Sequence, residues 1–163
     1  MGNSDQIILG IDPGSQVTGY GIIRVTSGKL LPIDFGCIRP TKATSSADAY
    51  RIIFQGIDAL IHLHQPTAIS IETQFVYKNI QSALKLGMAR SAGMLPGALR
   101  NIPIHEYAPK KAKCAVVGNG NASKEQVQKM IQILLQLTSP PQPEDAADAL
   151  ALAICHAHTL KRS

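Results

Sequence analysis

The N-terminal segment restricts the fold of this chain more than any other, because an unbroken apolar run ends in one carboxylate and a turn. Ile7 to Ile11 contains no polar alternation, which is typical of a strand buried on both faces of a sheet. Asp12 follows, and Pro13 and Gly14 then favour a tight reversal, so the segment predicts a β-hairpin. A carboxylate at the end of a buried strand needs a cation or a hydrogen bond, which makes Asp12 a candidate metal ligand. An ordinary Asp-Pro-Gly turn explains the segment equally well.

Composition predicts one globular domain over residues 1–163. The hydrophobic share of 45% is too high for a disordered chain. No apolar run approaches the roughly 18 residues that span a bilayer, and no secretory leader precedes the first strand. Three cysteines without CxxC spacing argue against a disulfide framework or a zinc ribbon and indicate a reducing compartment. We therefore expect a cytoplasmic protein without membrane contact.

Positive charge is the compositional clue to a partner. The chain has 16 Lys and Arg residues against 11 Asp and Glu residues, a formal net charge of +5. A basic domain of this size is often a nucleic-acid binder. Lys110, Lys111 and Lys113 form one basic cluster, for which a solvated helix face is the simpler explanation.

The apolar periodicity and the turn residues predict five strands and four helices. The strands are Ile7–Asp12, Val17–Val25, Leu30–Arg39, Ala68–Glu72 and Ile104–Tyr107, and the helices are Ser46–His64 with Ser46 as N-cap, Ile80–Leu99, Lys124–Leu137 and Asp145–Leu160. This order predicts an α/β fold, a mixed five-stranded sheet flanked by helices on both faces. Its first strand would be central, beside the strand that ends in Glu72.

Acidic residues stand at the ends of three predicted elements. Asp12 and Glu72 end adjacent parallel strands, at the edge where open α/β sheets hold their ligands. Asp145 and Asp148 begin the last helix one turn apart, with Cβ atoms about 5–6 Å apart on one face. Acids in a first turn also stabilise a helix dipole without any metal, and Glu144 fits that role better. The alanines that follow would let this helix pack closely on the sheet and bury its acids.

Four carboxylates in one cleft repel one another unless divalent cations bind there. Their ligand atoms are all oxygens, which favours Mg²⁺, with Mn²⁺ as a substitute, over zinc. Two such ions about 3.5–4 Å apart can activate water and stabilise the leaving oxygen of a phosphodiester. The acids therefore predict metal-dependent phosphodiester hydrolysis.

Five motifs occur in a specific order along the chain. They are Ile8–Gly21, Ile71-Glu72, Lys78–Gly87, Val116–Gly118 and Asp145–Ala151. As a set they resemble the RuvC family of bacterial Holliday-junction resolvases, over roughly Ile7 to His158. The resemblance implies a ribonuclease-H-like fold, a homodimer, and Mg²⁺-dependent paired nicking of four-way DNA junctions in recombination and repair. It also implies contact with the branch-migration proteins RuvA and RuvB.

The resemblance also assigns roles to individual residues. The family's acidic tetrad, which binds the metal and is catalytic, matches Asp12, Glu72, Asp145 and Asp148. Its catalytic basic residues match Lys113 and Lys124, and its base-stacking aromatic residue matches Phe75. Lys78, Lys110 and Lys111 are further candidate DNA contacts, together with Phe75 and the two catalytic lysines. The alternatives are plain solvent exposure for each lysine and packing at a dimer interface for Phe75.

The predicted helix Ile80–Leu99 is the candidate dimer interface. Small residues at Ala83, Gly87 and Ala89–Gly93 permit close helix approach, and Leu84, Met88 and Leu95 supply apolar contacts. The small residues would equally suit packing on the protein's own sheet, and both arrangements stay open for Ala83 and Gly87.

Three other functions fit some of the same residues. A generic ribonuclease H acting on RNA–DNA hybrids would use similar acids. The Asp-Pro-Gly-Ser motif also resembles a phosphate loop of actin-like kinases, although no second glycine-rich loop is present. A catalytically silent junction-binding module would not need all four acids.

The last predicted helix also carries Cys155, His156 and His158. These residues do not predict a metal site, because side chains two apart in a helix point to different faces. We expect a late, exposed helical turn at this position.

Junction affinity should fall steeply with salt. Setting aside the four proposed site acids leaves seven acidic residues against sixteen basic ones, so the remaining surface is strongly positive. Roughly six to ten phosphate contacts would give a loss in affinity of about 10³–10⁵ between 50 and 200 mM salt, measured by fluorescence anisotropy. A nearly flat salt response together with tight binding of free nucleotide would instead favour the kinase alternative.

Overall fold

The apolar segment that ends at Asp12 forms the central strand of a sheet. The computed structural model describes residues 5–73 and 78–160. Within them, the strands are β1 (Gln6–Asp12), β2 (Thr18–Thr26), β3 (Lys29–Ile38), β4 (Ala68–Glu72) and β5 (Ile104–Tyr107), and the helices are α1 (Ser46–His64), α2 (Ile80–Leu99), α3 (Pro109–Val117), α4 (Lys124–Leu134) and α5 (Glu144–Leu160). These strands form one five-stranded sheet in the order β3-β2-β1-β4-β5.

The sheet is mixed and has helices on both faces. β1 pairs antiparallel with β2, and β2 with β3, whereas β4 runs parallel to β1 and β5. α1 and α2 cover one face, where Leu9, Ile11 and Ile71 belong to the core. α5 covers the other face, with α3 and α4 packed against it. The predicted α/β architecture and the central position of the first strand are confirmed.

Glycines in β1 and β2 allow the backbone of α5 to lie directly on the sheet. A Cβ atom placed on Gly10 would lie 2.0 Å from the carbonyl oxygen of Ala149, and one on Gly19 would lie 2.0 Å from that of Asp145. Separations this short leave no room for any side chain at either position. The distance between α5 and the sheet is therefore set by backbone contact.

The alternation of side chains along β1 and β4 decides which of their residues lie on the face that α5 covers. Successive side chains of a strand point to opposite faces. Gly10 and Asp12 on β1, like Ser70 and Glu72 on β4, therefore share the face that α5 covers. Both strands end at an acid on this face.

Several boundaries differ from the prediction by one to three residues. β1 and α5 begin one residue earlier, β2 and β3 are each shifted by one residue, and α1 and α4 differ in the N-cap and in the last residue. Ser45, not Ser46, caps α1, since the Ser45 side chain accepts a hydrogen bond from the Asp48 backbone N–H. α4 ends at Leu134 rather than Leu137. Differences of one to three residues at helix ends are common, because the last turn often departs from α-helical hydrogen bonding.

α3 is a helix that the prediction did not place as a separate element. Pro109 occupies its first turn, where its missing N–H costs nothing, and Gly118 ends it at a φ of 82°, a left-handed conformation that suits glycine. The lysine cluster from Lys110 to Lys113 therefore belongs to a short helix packed on α5.

The prediction of an exposed late turn in α5 is wrong. Cys155 and His156 are only 2% and 3% exposed, because the sheet covers one side of α5 while α3 and α4 cover another. The His156 ring stacks on His105 with centroids 4.1 Å apart, and its Nδ1 lies 2.7 Å from the Tyr107 hydroxyl oxygen. The Tyr107 hydroxyl thus gives the buried imidazole a hydrogen-bond partner at Nδ1.

Gly10→Ala and Gly19→Ala should each destabilise the protein strongly. Overpacking a core costs about 1–3 kcal/mol and sometimes more, and here the new methyl group meets backbone that cannot rotate away. Gly93→Ala is the matched control, because its Cβ would lie 3.6 Å from Ile11 Cγ2 in ordinary contact. Alanine also favours a helix over glycine by roughly 0.5–1 kcal/mol. Urea unfolding measures all three variants, and equal midpoints would contradict the backbone contact.

Candidate active site

Asp12 and Glu72 stand next to each other at one edge of the sheet. The register pairs Ile11 with Ile71, so the next residues of β1 and β4 are the two acids. Both line a small cleft that Arg90 also lines. The carboxyl ends of these parallel strands therefore bring two acids together, as the strand order predicts.

α5 brings the other two acids to the same edge. The Asp145 carbonyl packs on Gly19, which is the residue that pairs with Asp12 across the β1–β2 ladder. Asp148 lies one turn later and lines a second cavity together with Glu72. The close contact between α5 and the glycines thus assembles four acids from three elements.

Burial and mutual repulsion perturb these acids. Desolvation, followed by the charges of Asp148, Glu72 and Asp145, raises the pKa of Asp12 to about 8. Burial and then the charge of Asp148 raise the pKa of Glu72. Burial also raises the pKa of Asp148, and the Lys124 charge opposes that rise. The acids therefore lie within one another's electrostatic field.

The side chains do not yet converge on one point. Among residues 5–73 and 78–160, no three acidic, histidine or cysteine side chains come close enough together to hold one metal ion. Carboxylates repel one another, and a divalent cation bound between them would offset that repulsion. Two observations fit a hydrated cation at the cluster. Its donors are all oxygens, and the buried Thr73 Oγ1, next to Glu72, makes no hydrogen bond within the described chain.

Lys113 and Lys124 lie beside the acids. Both line a cavity of about 390 Å³ with Glu72 and Asp148. Lys124 Nζ donates a 2.7 Å hydrogen bond to Glu144 Oε2, and both of these side chains are exposed. The Lys113 charge opposes the rise in the pKa of Glu72. A basic wall formed by α3 and α4 therefore borders the acidic cluster.

The other predicted DNA contacts lie around this wall or outside the described chain. Lys110 and Lys111 are exposed on α3, and Lys111 Nζ lies 5.1 Å from the centroid of the Tyr107 ring. Lys78 is exposed just before α2. Phe75 lies outside the described residues, so its predicted role stays a prediction.

Arg90 is a residue of this site that sequence reasoning missed. It lies on α2, and its side chain is 15% exposed. Its Nε donates to the Glu72 carbonyl oxygen at 3.1 Å, and its Nη2 donates to Glu106 Oε1 at 2.6 Å. A signal exists in the sequence, because Arg90, Gly93 and Gly97 are spaced to share one face of a helix. A basic residue on the buried face of a helix needs a partner.

α2 presents its predicted interface residues on two different faces. Ala89 and Gly93 are buried, and Gly93 faces Ile11 of the protein's own sheet. Leu84 and Met88, by contrast, are 60% and 54% exposed. The two buried small residues therefore serve the core, whereas the large apolar side chains remain on the surface.

Comparison with known proteins places this site in a family. A family model described as "Crossover junction endodeoxyribonuclease RuvC" matches residues 8–156. The chain belongs to the RuvC family. The RuvC protein of Protochlamydia amoebophila (strain UWE25) is 59% identical over 151 residues, which cover 93% of this chain and 90% of that protein. The RuvC protein of Chlamydia felis (strain Fe/C-56) is 50% identical over 157 residues, 94% of each chain.

Solved structures agree with the RuvC assignment. The structure of T. thermophilus RuvC in complex with Holliday junction substrate has a TM-score of 0.90 and 29% identity, and the match covers 96% of each chain. The yeast mitochondrial Holliday junction resolvase Ydc2 has a TM-score of 0.65 at 16% identity, covering 95% of this chain and 82% of that one, and supports the fold alone. The predicted ribonuclease-H-like fold is confirmed.

Membership of the RuvC family makes the protein a crossover junction endodeoxyribonuclease, an enzyme of DNA recombination and repair. This confirms the predicted activity and favours it over the ribonuclease H, kinase and silent-module alternatives. In the described part of the chain, no helix has the length and apolar character that a membrane span requires.

The metal-free protein should lose stability as the pH rises from about 4 to 8. Folded Asp12 keeps its proton up to a pKa of about 8, whereas the unfolded chain releases it near the ordinary value of 3.8. The folded state therefore binds more protons in this window, and the free energy of unfolding falls with pH. Asp12→Asn removes this contribution. The free energy of unfolding of the variant, minus that of wild type, should therefore increase between pH 5 and pH 8. Urea unfolding in EDTA measures the difference, and a pH-independent difference would show that Asp12 does not titrate in this way.

Proposed function

We propose that the protein, acting as a single nuclease domain, resolves four-way DNA junctions by hydrolysing two symmetry-related phosphodiester bonds at a divalent-metal site. Asp12, Glu72, Asp145 and Asp148 would hold the metal. The observation that carries the proposal is geometric: β1 and β4 end side by side at Asp12 and Glu72, and α5 packs with Asp145 against Gly19, the residue paired with Asp12. Burial and the charges of Asp148, Glu72 and Asp145 raise the pKa of Asp12 to about 8, which agrees with this placement. A folded protein that keeps such a costly cluster gains most when a cation neutralises it.

Mg²⁺ suits the chemistry of this donor set, with Mn²⁺ as a substitute. Carboxylate oxygens without a sulfur or imidazole partner favour hard cations. Two ions per site, when bound, would activate water and stabilise the leaving oxygen. The four acids would hold the ions, and the packing of α5 on the glycines of the sheet keeps Asp145 and Asp148 beside the ends of β1 and β4.

Lys113 and Lys124 are proposed to contact the scissile phosphate or the charge that develops on it. Both line the cavity that Glu72 and Asp148 also line. The exposed ion pair between Lys124 and Glu144 is worth little in water, so DNA phosphate can displace the carboxylate. Lys78, Lys110 and Lys111 would extend this basic surface along the DNA backbone, and Phe75 would stack on a base at the junction.

A homodimer is proposed on the exposed apolar side of α2. Ile80, Leu84, Met88 and Leu95 are 71%, 60%, 54% and 49% exposed, an unusual concentration of large apolar side chains on one helix. A two-fold axis would present two active sites to the two equivalent strands of a junction. T. thermophilus RuvC, which this chain resembles, was solved in complex with Holliday junction substrate, and this supports a four-way junction as the DNA that such a dimer would bind.

Two further assignments follow from the family rather than from described contacts. We propose that the enzyme works with RuvA and RuvB, which would move the junction to a cleavable position. We also place it in the cytoplasm, where a protein with this substrate would meet its DNA.

Asp12→Asn should abolish nicking of a four-way junction while leaving junction affinity unchanged or slightly tighter. The substitution keeps the shape of the side chain but removes a charge worth about 4 kcal/mol to a cation ~4 Å away at an effective dielectric near 20. Asp58→Asn is the matched control, because Asp58 pairs with Arg100 rather than with the acid cluster. The assay compares a four-way junction, a linear duplex and an RNA–DNA hybrid. Retained nicking by Asp12→Asn, or preferred cleavage of the hybrid by wild type, would contradict the proposal.

Leu84→Glu combined with Met88→Glu should produce a monomer that makes single, uncoordinated nicks. The charges cannot be desolvated at an apolar interface. Leu63→Glu is the control, since Leu63 is 71% exposed but lies on α1. Sedimentation equilibrium at micromolar concentration measures the oligomeric state. If the double variant remains dimeric, the exposed apolar side of α2 is not the dimer interface.

A further inference from the structure

The Glu72 carbonyl group accepts a hydrogen bond from a side chain, Arg90 Nε, instead of from the backbone of the neighbouring strand. The Thr73 backbone N–H donates to the Tyr107 carbonyl of β5 at 2.9 Å, so Thr73 faces β5 and Glu72, one residue earlier, faces β1. β1 and β4 pair Ile11 with Ile71. Continuing this parallel ladder by one step would require the backbone N–H of residue 13 to donate to the Glu72 carbonyl.

Residue 13 is Pro13, which has no N–H. Arg90 supplies a donor instead, because its Nε lies 3.1 Å from the Glu72 carbonyl oxygen. The β1–β4 ladder thus ends at the catalytic edge, and a side chain from α2 takes over where the backbone cannot continue. A partly buried carbonyl left without this donor would carry a desolvation penalty.

The guanidinium also pairs with an acid that is not one of the four of the cluster. Arg90 Nη2 donates to Glu106 Oε1 of β5 at 2.6 Å. The Arg90 side chain is 15% exposed and that of Glu106 is 48% exposed. Arg90 therefore connects α2 with the end of β4 through the Glu72 carbonyl and with β5 through the Glu106 carboxylate. The Glu72 carboxylate stays available to a metal.

We propose that Arg90 is a positioning residue of the nuclease, which fixes the end of β4 against α2 and so holds Glu72 in place for the metal. This inference rests on the proposed function of Glu72. It also means that one helix carries both the apolar surface proposed for dimerisation and the residue that orients an acid of the active site.

Whether replacing Arg90 weakens or tightens cation binding distinguishes a positioning role from a purely electrostatic one. Removing a positive charge near a cation site should tighten cation binding if Arg90 acts only through its charge. If Arg90 positions Glu72, the same change should weaken cation binding. Groups that orient metal ligands without touching the metal typically contribute 10–100-fold in affinity or activity.

The experiment measures Mn²⁺ binding by isothermal titration calorimetry in the absence of DNA, and kcat and KM on a four-way junction. Arg90→Gln should raise the Mn²⁺ dissociation constant about 10–100-fold and lower kcat at fixed metal, with KM for the junction nearly unchanged. Arg90→Lys, which keeps the charge but not the planar fork, should fall between Arg90→Gln and wild type. The Lys variant also serves if the Gln variant does not fold.

Two controls share the chemistry but not the location. Arg100→Gln removes an arginine just beyond the end of α2 that pairs with Asp58 and donates to the Pro96 carbonyl. Glu106→Gln removes the ion pair of Arg90 but keeps its bond to Glu72. Both should bind Mn²⁺ within about twofold of wild type, an effect far below the 10–100-fold expected of a positioning group.

The outcomes are distinct. Unchanged or tighter Mn²⁺ binding by Arg90→Gln and Arg90→Lys would overturn the positioning role. So would a loss that Arg100→Gln reproduces, because it would report general destabilisation. If Asp12→Asn binds Mn²⁺ as wild type does, the metal site itself fails, and that result is separate from the behaviour of Arg90.

Discussion

The contact between the backbone of α5 and the glycines of the sheet determines the geometry of the active edge. Gly10 and Gly19 lie so close to the carbonyls of Ala149 and Asp145 that a methyl group has no room. Because Gly19 pairs with Asp12, the same contact that seats the helix also brings Asp145 to the end of β1. Core packing and placement of the acids are therefore one structural requirement.

This arrangement has an electrostatic cost. The acids are partly buried and close together, so burial and mutual repulsion raise the pKa of Asp12 to about 8. In a protein without cations, such a cluster opposes folding at neutral pH. The lysines of α3 and α4 lower this cost in part, and divalent cations at the proposed site would offset more of it. The function proposed for the site follows from the need to neutralise it.

Much of this architecture follows from patterns in the sequence. The uninterrupted run before Asp12 identifies a central strand, and the alanines after Asp145 identify a helix that packs closely. Contacts between residues far apart in the chain are harder to predict from such patterns. His156 is buried because α5 is covered on more than one side, which a pattern along one helix does not reveal. Arg90 reaches Glu72 across 18 residues of chain, and it replaces a backbone donor that only the strand register shows to be missing. The roles of Lys113 and Lys124 stay predictions, since their position beside the acids does not show what they do in catalysis. The role of Phe75 also stays a prediction, because Phe75 lies outside the described residues.

The most direct measurement of the central claim is the anomalous diffraction of crystals soaked in Mn²⁺. The four-acid site predicts at least one strong anomalous peak within coordination distance of the Asp12 carboxylate, with Glu72 or Asp148 as a second ligand. The acid side chains should turn toward that peak from their present rotamers. Mn²⁺ bound only elsewhere on the protein at saturating concentration, with the cluster unchanged, would contradict the account.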